Sequence, residues 1–176
     1  MNMDLRYPIG KFSAPEEISK EALSKAILDI ATTAERLRSA VSGMDEAQLN
    51  TPYRPEGWTV RQVIHHLADS HMNAYIRFHW TLTENQPRIK AYDEKAWAEL
   101  TYQNNVSIDT SIQLLSSLHE RWVVLLNSLS DADLERIYIH PEGEKVYVLR
   151  KVALLYAWHG SHHIAHITAL KERMGW

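Results

Sequence analysis

Four long segments with apolar residues at three- and four-residue steps constrain this chain most, because each must bury one face against the others. Ser19 stands where an N-cap belongs, ahead of Ala22, Ile27, Ile30 and Leu37, and Gly43 stands where that helix should end. Thr59 and Gln62 make a capping box for a second helix reaching about Glu84, with Pro87 ending it. A third starts near Ser107 or Asp109 and repeats Ile112, Leu115, Leu118, Trp122, Leu126 and Leu129. The last runs from about Leu149 to Arg173, with Gly175 after it.

The segments between them are short pieces. Thr51-Pro-Tyr-Arg-Pro-Glu-Gly57 reads as a loop, and Asp93 caps a short helix through Trp97 and Leu100. The alternating runs Ile137–His140 and Lys145–Val148 around Pro141-Glu-Gly-Glu144 predict a small β-hairpin. The expected fold is therefore all-α: a four-helix bundle with a small β-hairpin before the last helix, in a single domain spanning residues 1–176. Connections of roughly 15 to 25 residues argue against the simplest short-loop bundle.

Composition narrows the chemistry. Nineteen basic against 22 acidic side chains leave a net charge of −3, with no excess to attract nucleic acid or an anionic membrane. Met1 to Pro15 has no apolar stretch of signal-peptide length, and the longest apolar run, Val152–Trp158, is far too short to span a bilayer. The expected location is the cytoplasm. The chain has no cysteine and ten histidines. Disulfides, thiolate-held zinc and a protein thiol nucleophile are excluded, so catalytic chemistry must run on histidine.

Four histidines fall in His159-Gly-Ser-His162-His163-Ile-Ala-His166. At 100° per residue His159 and His163 lie about 40° apart on the face carrying Val152, Leu155, Tyr156, Ile167 and Leu170. His166 continues that stripe and His162 lies nearer its edge. An i, i+4 pair can offer two imidazoles to one cation, given a third ligand from another helix. On the second helix His71 is central in the apolar arc, His66 borders it and His65 points away. His66 also heads a polar stripe with Thr59, Gln62, Ser70, Asn73 and Arg77, suited to a cavity wall or to a solvated face. His119 sits centrally on the third helix. His71 and His119 read as hydrogen-bonded core residues, and His65, His79 and His140 as surface. The six tryptophans read as core and seam filling. No Gly-x-Ser-x-Gly elbow or His-Glu-x-x-His motif is present.

The stretch Gly57-Trp-Thr-Val-Arg-Gln-Val-Ile-His-His-Leu-Ala-Asp-Ser-His-Met-Asn73 closely resembles the DinB/YfiT-like family of bacterial metal-binding four-helix proteins. So do Tyr92-Asp-Glu-Lys-Ala-Trp97, Trp158-His-Gly-Ser-His-His-Ile-Ala-His-Ile167 and the opening Tyr7-Pro-Ile-Gly10, in order over nearly the whole chain. The chain looks most like the YfiT branch, which is catalogued under metal-dependent hydrolases. The resemblance implies a homodimer in which His66, His159 and His163 hold one Zn²⁺ or Ni²⁺ per subunit. One departure is Gly160, a glycine inside a helix. The helical wheel agrees with the implied ligands, since His66 borders the apolar arc while His65 faces away.

Three imidazoles leave a tetrahedral ion one position for water or substrate, as in catalytic sites. Hydrolysis of a small-molecule substrate would use activated water and a carboxylate base, for which Asp69 is the one candidate, about 60° off the direction of His66. Thiol transfer needs no protein base, because the metal deprotonates the thiol. Some relatives are associated with such an S-transferase activity using bacillithiol. A metal-binding stress protein without catalysis is the third reading. Arg77, His162 and His166 are further candidates beside the metal or against substrate, and Tyr53 or Arg54 could line the mouth.

Overall fold

A computed structural model describes residues 4–176, so residues 1–3 of the Met1–Pro15 stretch lie outside the described part. Ser19 accepts a hydrogen bond from the Ala22 amide and starts α1 (Lys20–Val41), which ends before Gly43 at φ +77°. Asp45 and Gln48 close a reciprocal cap on the one-turn helix α2 (Glu46–Leu49). The Thr59–Gln62 capping box opens α3 (Val60–Thr83) as expected. Asp93 caps α4 (Glu94–Ala98), which stops short of Leu100, and a 3₁₀ turn follows at Thr101–Asn105. Ser107 caps α5 (Ile108–Ser128), and Ser130 caps the one-turn α6 (Asp131–Leu134). The antiparallel hairpin of β1 (Ile137–His140) and β2 (Lys145–Val148) pairs Tyr138 with Tyr147 and leads directly into α7 (Leu149–Met174). Among the described residues no helix is long and apolar enough to cross a membrane.

Side-chain contacts fix the course of the long helices. Arg36 on α1 meets Ser161 on α7, and Lys171 further along α7 meets the Ala40 carbonyl further along α1, so these two run parallel. His65 meets Ser111 and His71 meets His119, so α3 and α5 also run parallel. Arg38 reaches Asp109 near the start of α5, so α1 opposes α5. The order of directions is therefore up, down, down, up. Two consecutive parallel helices require the chain to return the length of α3, about 36 Å, which explains the long connection over residues 84–107. On the way it is stitched to the hairpin: the Ile139 amide donates to the Pro87 carbonyl at 2.9 Å, and the Ile89 amide to the Ile139 carbonyl at 3.0 Å.

The core has two apolar clusters stacked along the bundle. One holds Leu37, Val63, Leu67, Leu115 and Ile167, and the other Ile30, Phe78, Trp122, Leu149 and Val152. Each fully buried aliphatic or aromatic side chain there contributes about 1.5–3 kcal/mol. Between the clusters lies a polar layer made almost wholly of imidazoles. At that level Gly160 lets α1 and α7 approach closely, since a Cβ on it would stand 2.9 Å from Thr33 Cγ2 and Oγ1. The glycine inside this helix is a packing requirement.

Candidate metal centre

The layer is supplied by α3 and α7, with α5 behind. His66, His159 and His163 each offer one ring nitrogen, and these three atoms lie within 4.8 Å of one another. Nε2 of His66 is 3.4 Å from Nε2 of His159. Metal–nitrogen bonds of about 2.0–2.1 Å in a tetrahedral shell place two ligand nitrogens about 3.3–3.4 Å apart, so the spacing fits such an ion. Trp58, just before the α3 cap, lies against the His66 ring with centroids 4.6 Å apart and closes that side.

Hydrogen bonds set the tautomer behind one of the rings and run on behind a second. His166 Nε2 lies 3.1 Å from the Arg6 carbonyl, which can only accept, so Nε2 carries the proton of the neutral ring. Its Nδ1 is then an acceptor, and His163 Nδ1 donates to it at 3.4 Å. A neutral His163 that donates from Nδ1 presents the lone pair of Nε2 to the centre. A second chain runs from His159 Nδ1 to His71 Nε2 at 3.2 Å and from His71 Nδ1 to His119 Nε2 at 2.8 Å. The backbone of Ile30 lies near the far side of the His119 ring, at looser than hydrogen-bond geometry. With each ring donating away from the centre, His159 Nε2 also presents a lone pair. This is the outer-shell arrangement that orients metal-binding histidines.

Electrostatics agree. Burial pushes the His66 imidazolium down to about 4. It pushes His159 and His163 well below the usual histidine range, with the neighbouring rings adding to the effect. All three stay neutral, the form that binds a metal. No carboxylate joins the cluster among the described residues. Asp69 lies half-buried, its carboxyl raised by burial and held by Gln103 Nε2 at 3.3 Å.

Several sequence expectations change here. His65 is not a surface residue: it is 3% exposed and bonded through Nδ1 to Ser111 Oγ at 2.8 Å, because α5 covers the side of α3 that looked outward. His140 is half-buried and lines a cavity beside the triad, whereas His79 is exposed as expected. His162 stacks on Trp158 at 4.4 Å and stays outside the cluster. Tyr53 stacks on His166 at 4.0 Å, and Arg54 bonds to the Tyr53 hydroxyl. Both sit behind the second ring of a chain. Trp58 and the Arg6 carbonyl were not singled out in the sequence. Trp58 carried a signal in its place directly before an N-cap, where apolar residues pack against the new helix, while a backbone carbonyl carries none.

Fold and site together define a class: a four-helix bundle with a buried, neutral three-imidazole pocket able to hold a divalent cation. The chain belongs to the DinB superfamily, whose family profile matches residues 29–167. It is 49% identical over 175 residues to the protein named "Putative metal-dependent hydrolase YfiT" of Bacillus subtilis (strain 168), covering 99% of this chain and 98% of that one. The solved structure of Bacillus subtilis YfiT, described as "a probable metal-dependent hydrolase with an unusual four-helix bundle topology", superposes with a TM-score of 0.95 at 50% identity, covering 98% of each chain. A mycothiol-dependent maleylpyruvate isomerase superposes at 0.65 with 16% identity over 82% of this chain and 60% of that one, a likeness of fold alone.

Proposed function

We propose that this protein is a metal-dependent enzyme acting on a small molecule, with hydrolysis as its main reading and His66, His159 and His163 as the ligands of one Zn²⁺ or Ni²⁺. The observation that carries it is the convergence of three neutral ring nitrogens with no fourth protein ligand beside them among the described residues. Bound there, the ion would activate a water or a thiol at the fourth position. The chain's own part is to keep the rings neutral, fix their tautomers and exclude bulk water with Trp58 and the flanking apolar layers. The names of close relatives support the hydrolase reading. A second reading, transfer of bacillithiol to an electrophile, is favoured by one specific observation: Asp69, the candidate base, is turned to Gln103. The same reading takes the whole chain as one cytoplasmic domain that assembles as a homodimer, to be checked by light scattering.

Elemental analysis of the purified protein and of His159→Ala tests the proposal, together with ester, amide and bacillithiol-conjugation assays. The expected outcome is one equivalent of metal and measurable turnover in the wild type, both lost in the variant. Full metal content in His159→Ala would overturn the ligand assignment. Turnover that requires the thiol would select the transferase, and turnover without it the hydrolase.

A further inference from the structure

A cavity of about 510 Å³ opens beside the triad, with His159 in its wall and Ser70, Arg77, Tyr92, His140 and Tyr156 around it. This is within the range of small-molecule pockets. At its far end Arg77 is 7% exposed, its Nε has no hydrogen-bond partner, and no carboxylate lies within ion-pair distance of it among the described residues. Its charge is felt at the Tyr92, Tyr156 and Tyr138 hydroxyls, the last standing near it at looser than hydrogen-bond geometry, and at His140. The Tyr92 hydroxyl is also buried without a partner at hydrogen-bond geometry, with the Ser70 side chain beside it at looser geometry.

The other buried arginine among the described residues, Arg61, and the partly buried Arg150 are not left so. Arg61, 6% exposed, meets Glu46 at 2.6 Å and Asn50 at 3.4 Å, and Arg150 meets both Asp131 and Glu135 at 2.7 Å. A buried guanidinium without a counter-ion is unfavourable in a resting fold, so its partner is expected from outside. Its planar fork suits a carboxylate. The exposed Glu94 and Glu142 also line the cavity and disfavour a ligand with further negative groups.

We propose that Arg77 anchors the carboxylate of a singly charged small-molecule substrate whose reacting atom lies at the histidine triad, with the Tyr92 hydroxyl as a second donor. This rests on the metal reading above and adds the substrate class. Arg77 follows His66 by about 16 Å along α3, and its side chain leans back toward the helix N-terminus.

The test uses full-length protein loaded with cobalt(II) and two matched probe series: 4-mercaptobutyrate to 6-mercaptohexanoate, and the corresponding mercaptoalcohols. Binding is read from the thiolate–cobalt charge-transfer absorption. The wild type should bind the best acid at least tenfold more tightly than its alcohol. Arg77→Met should bring the ratio within twofold while cobalt content and alcohol affinity hold, with a thermal midpoint equal to or above that of the wild type. Arg77→Lys should keep part of the preference. Equal binding of acid and alcohol by the wild type, or an undiminished ratio in Arg77→Met, would overturn the proposal. A wild type that takes up no cobalt would instead overturn the metal reading. Calorimetric titration of the same protein and its Arg77→Met variant with hexanoate and hexanol would then decide the role of Arg77 by the same ratio.

Discussion

The two flanks of the histidine triad are built on opposite plans. Behind the rings, toward α1, α5 and the amino-terminal segment, ring nitrogens meet partners in two chains of hydrogen bonds, His163–His166–Arg6 and His159–His71–His119. In front, toward the hairpin and the connection over residues 84–107, Arg77 Nε and the Tyr92 hydroxyl have none. The rear chains leave a nitrogen unpartnered at an outer end, His119 Nδ1, whereas the unpartnered groups in front belong to residues that line the cavity beside the triad. The contrast separates residues that position a centre from residues that meet a substrate, although both sets are buried and polar.

If the rear flank serves the centre, damage should grade with distance from it. Removing a ring of the triad comes first: His163→Ala should weaken zinc binding by about 100–1000-fold in chelator competition, one share of the roughly 10–16 kcal/mol typical of a four-ligand zinc site. His71→Phe comes next, with an expected loss of about 10–100-fold at unchanged stoichiometry. An unchanged affinity in that variant would reduce the chain to core filling and break the comparison.

Gly160→Ala addresses the helix contact behind His159. The added methyl must displace Thr33, at a cost of about 1–3 kcal/mol from overpacking, set against about 1 kcal/mol gained in helix propensity. Chemical denaturation of the metal-free protein should show a small net loss. A clear gain would mean that α1 and α7 part without cost.

The gentlest probe is pH. Burial holds His119 near 4, although the backbone of Ile30 favours its proton, whereas an unfolded chain takes one up near 6.5. The folded state therefore refuses a proton that the unfolded state accepts. The stabilising effect is fully present above 6.5 and is lost as pH falls toward about 4, at about 1.4 kcal/mol per pH unit for this ring. Denaturation midpoints at pH 7, 6 and 5 should fall accordingly, and less steeply in His119→Phe.

Much of this was legible from residue order. Ser19, the Thr59–Gln62 pair, Asp93 and Ser107 announced the starts of helices, and the His159–His163 spacing announced a shared face. The one-turn helices α2 and α6 escaped notice because four residues cannot show a period, although Asp45–Gln48 and Ser130–Asp133 form capping boxes. His65 was misplaced because a wheel sees one helix alone. In this bundle α3 packs against both α5 and α7, so two of its faces are buried. Arg77 lay on a polar stripe whose exposure could not be read until the connection and hairpin folded over it. The up, down, down, up course is a long-range property that local spacing does not encode.

The Arg6 carbonyl has a practical consequence. A group only six residues into the chain decides, through His166, which nitrogen of His163 faces the centre. A change in the segment that carries Arg6 is therefore a perturbation of the centre itself. Preparations differing only in their first ten residues should differ in metal content, and a carboxy-terminal tag is the safer handle.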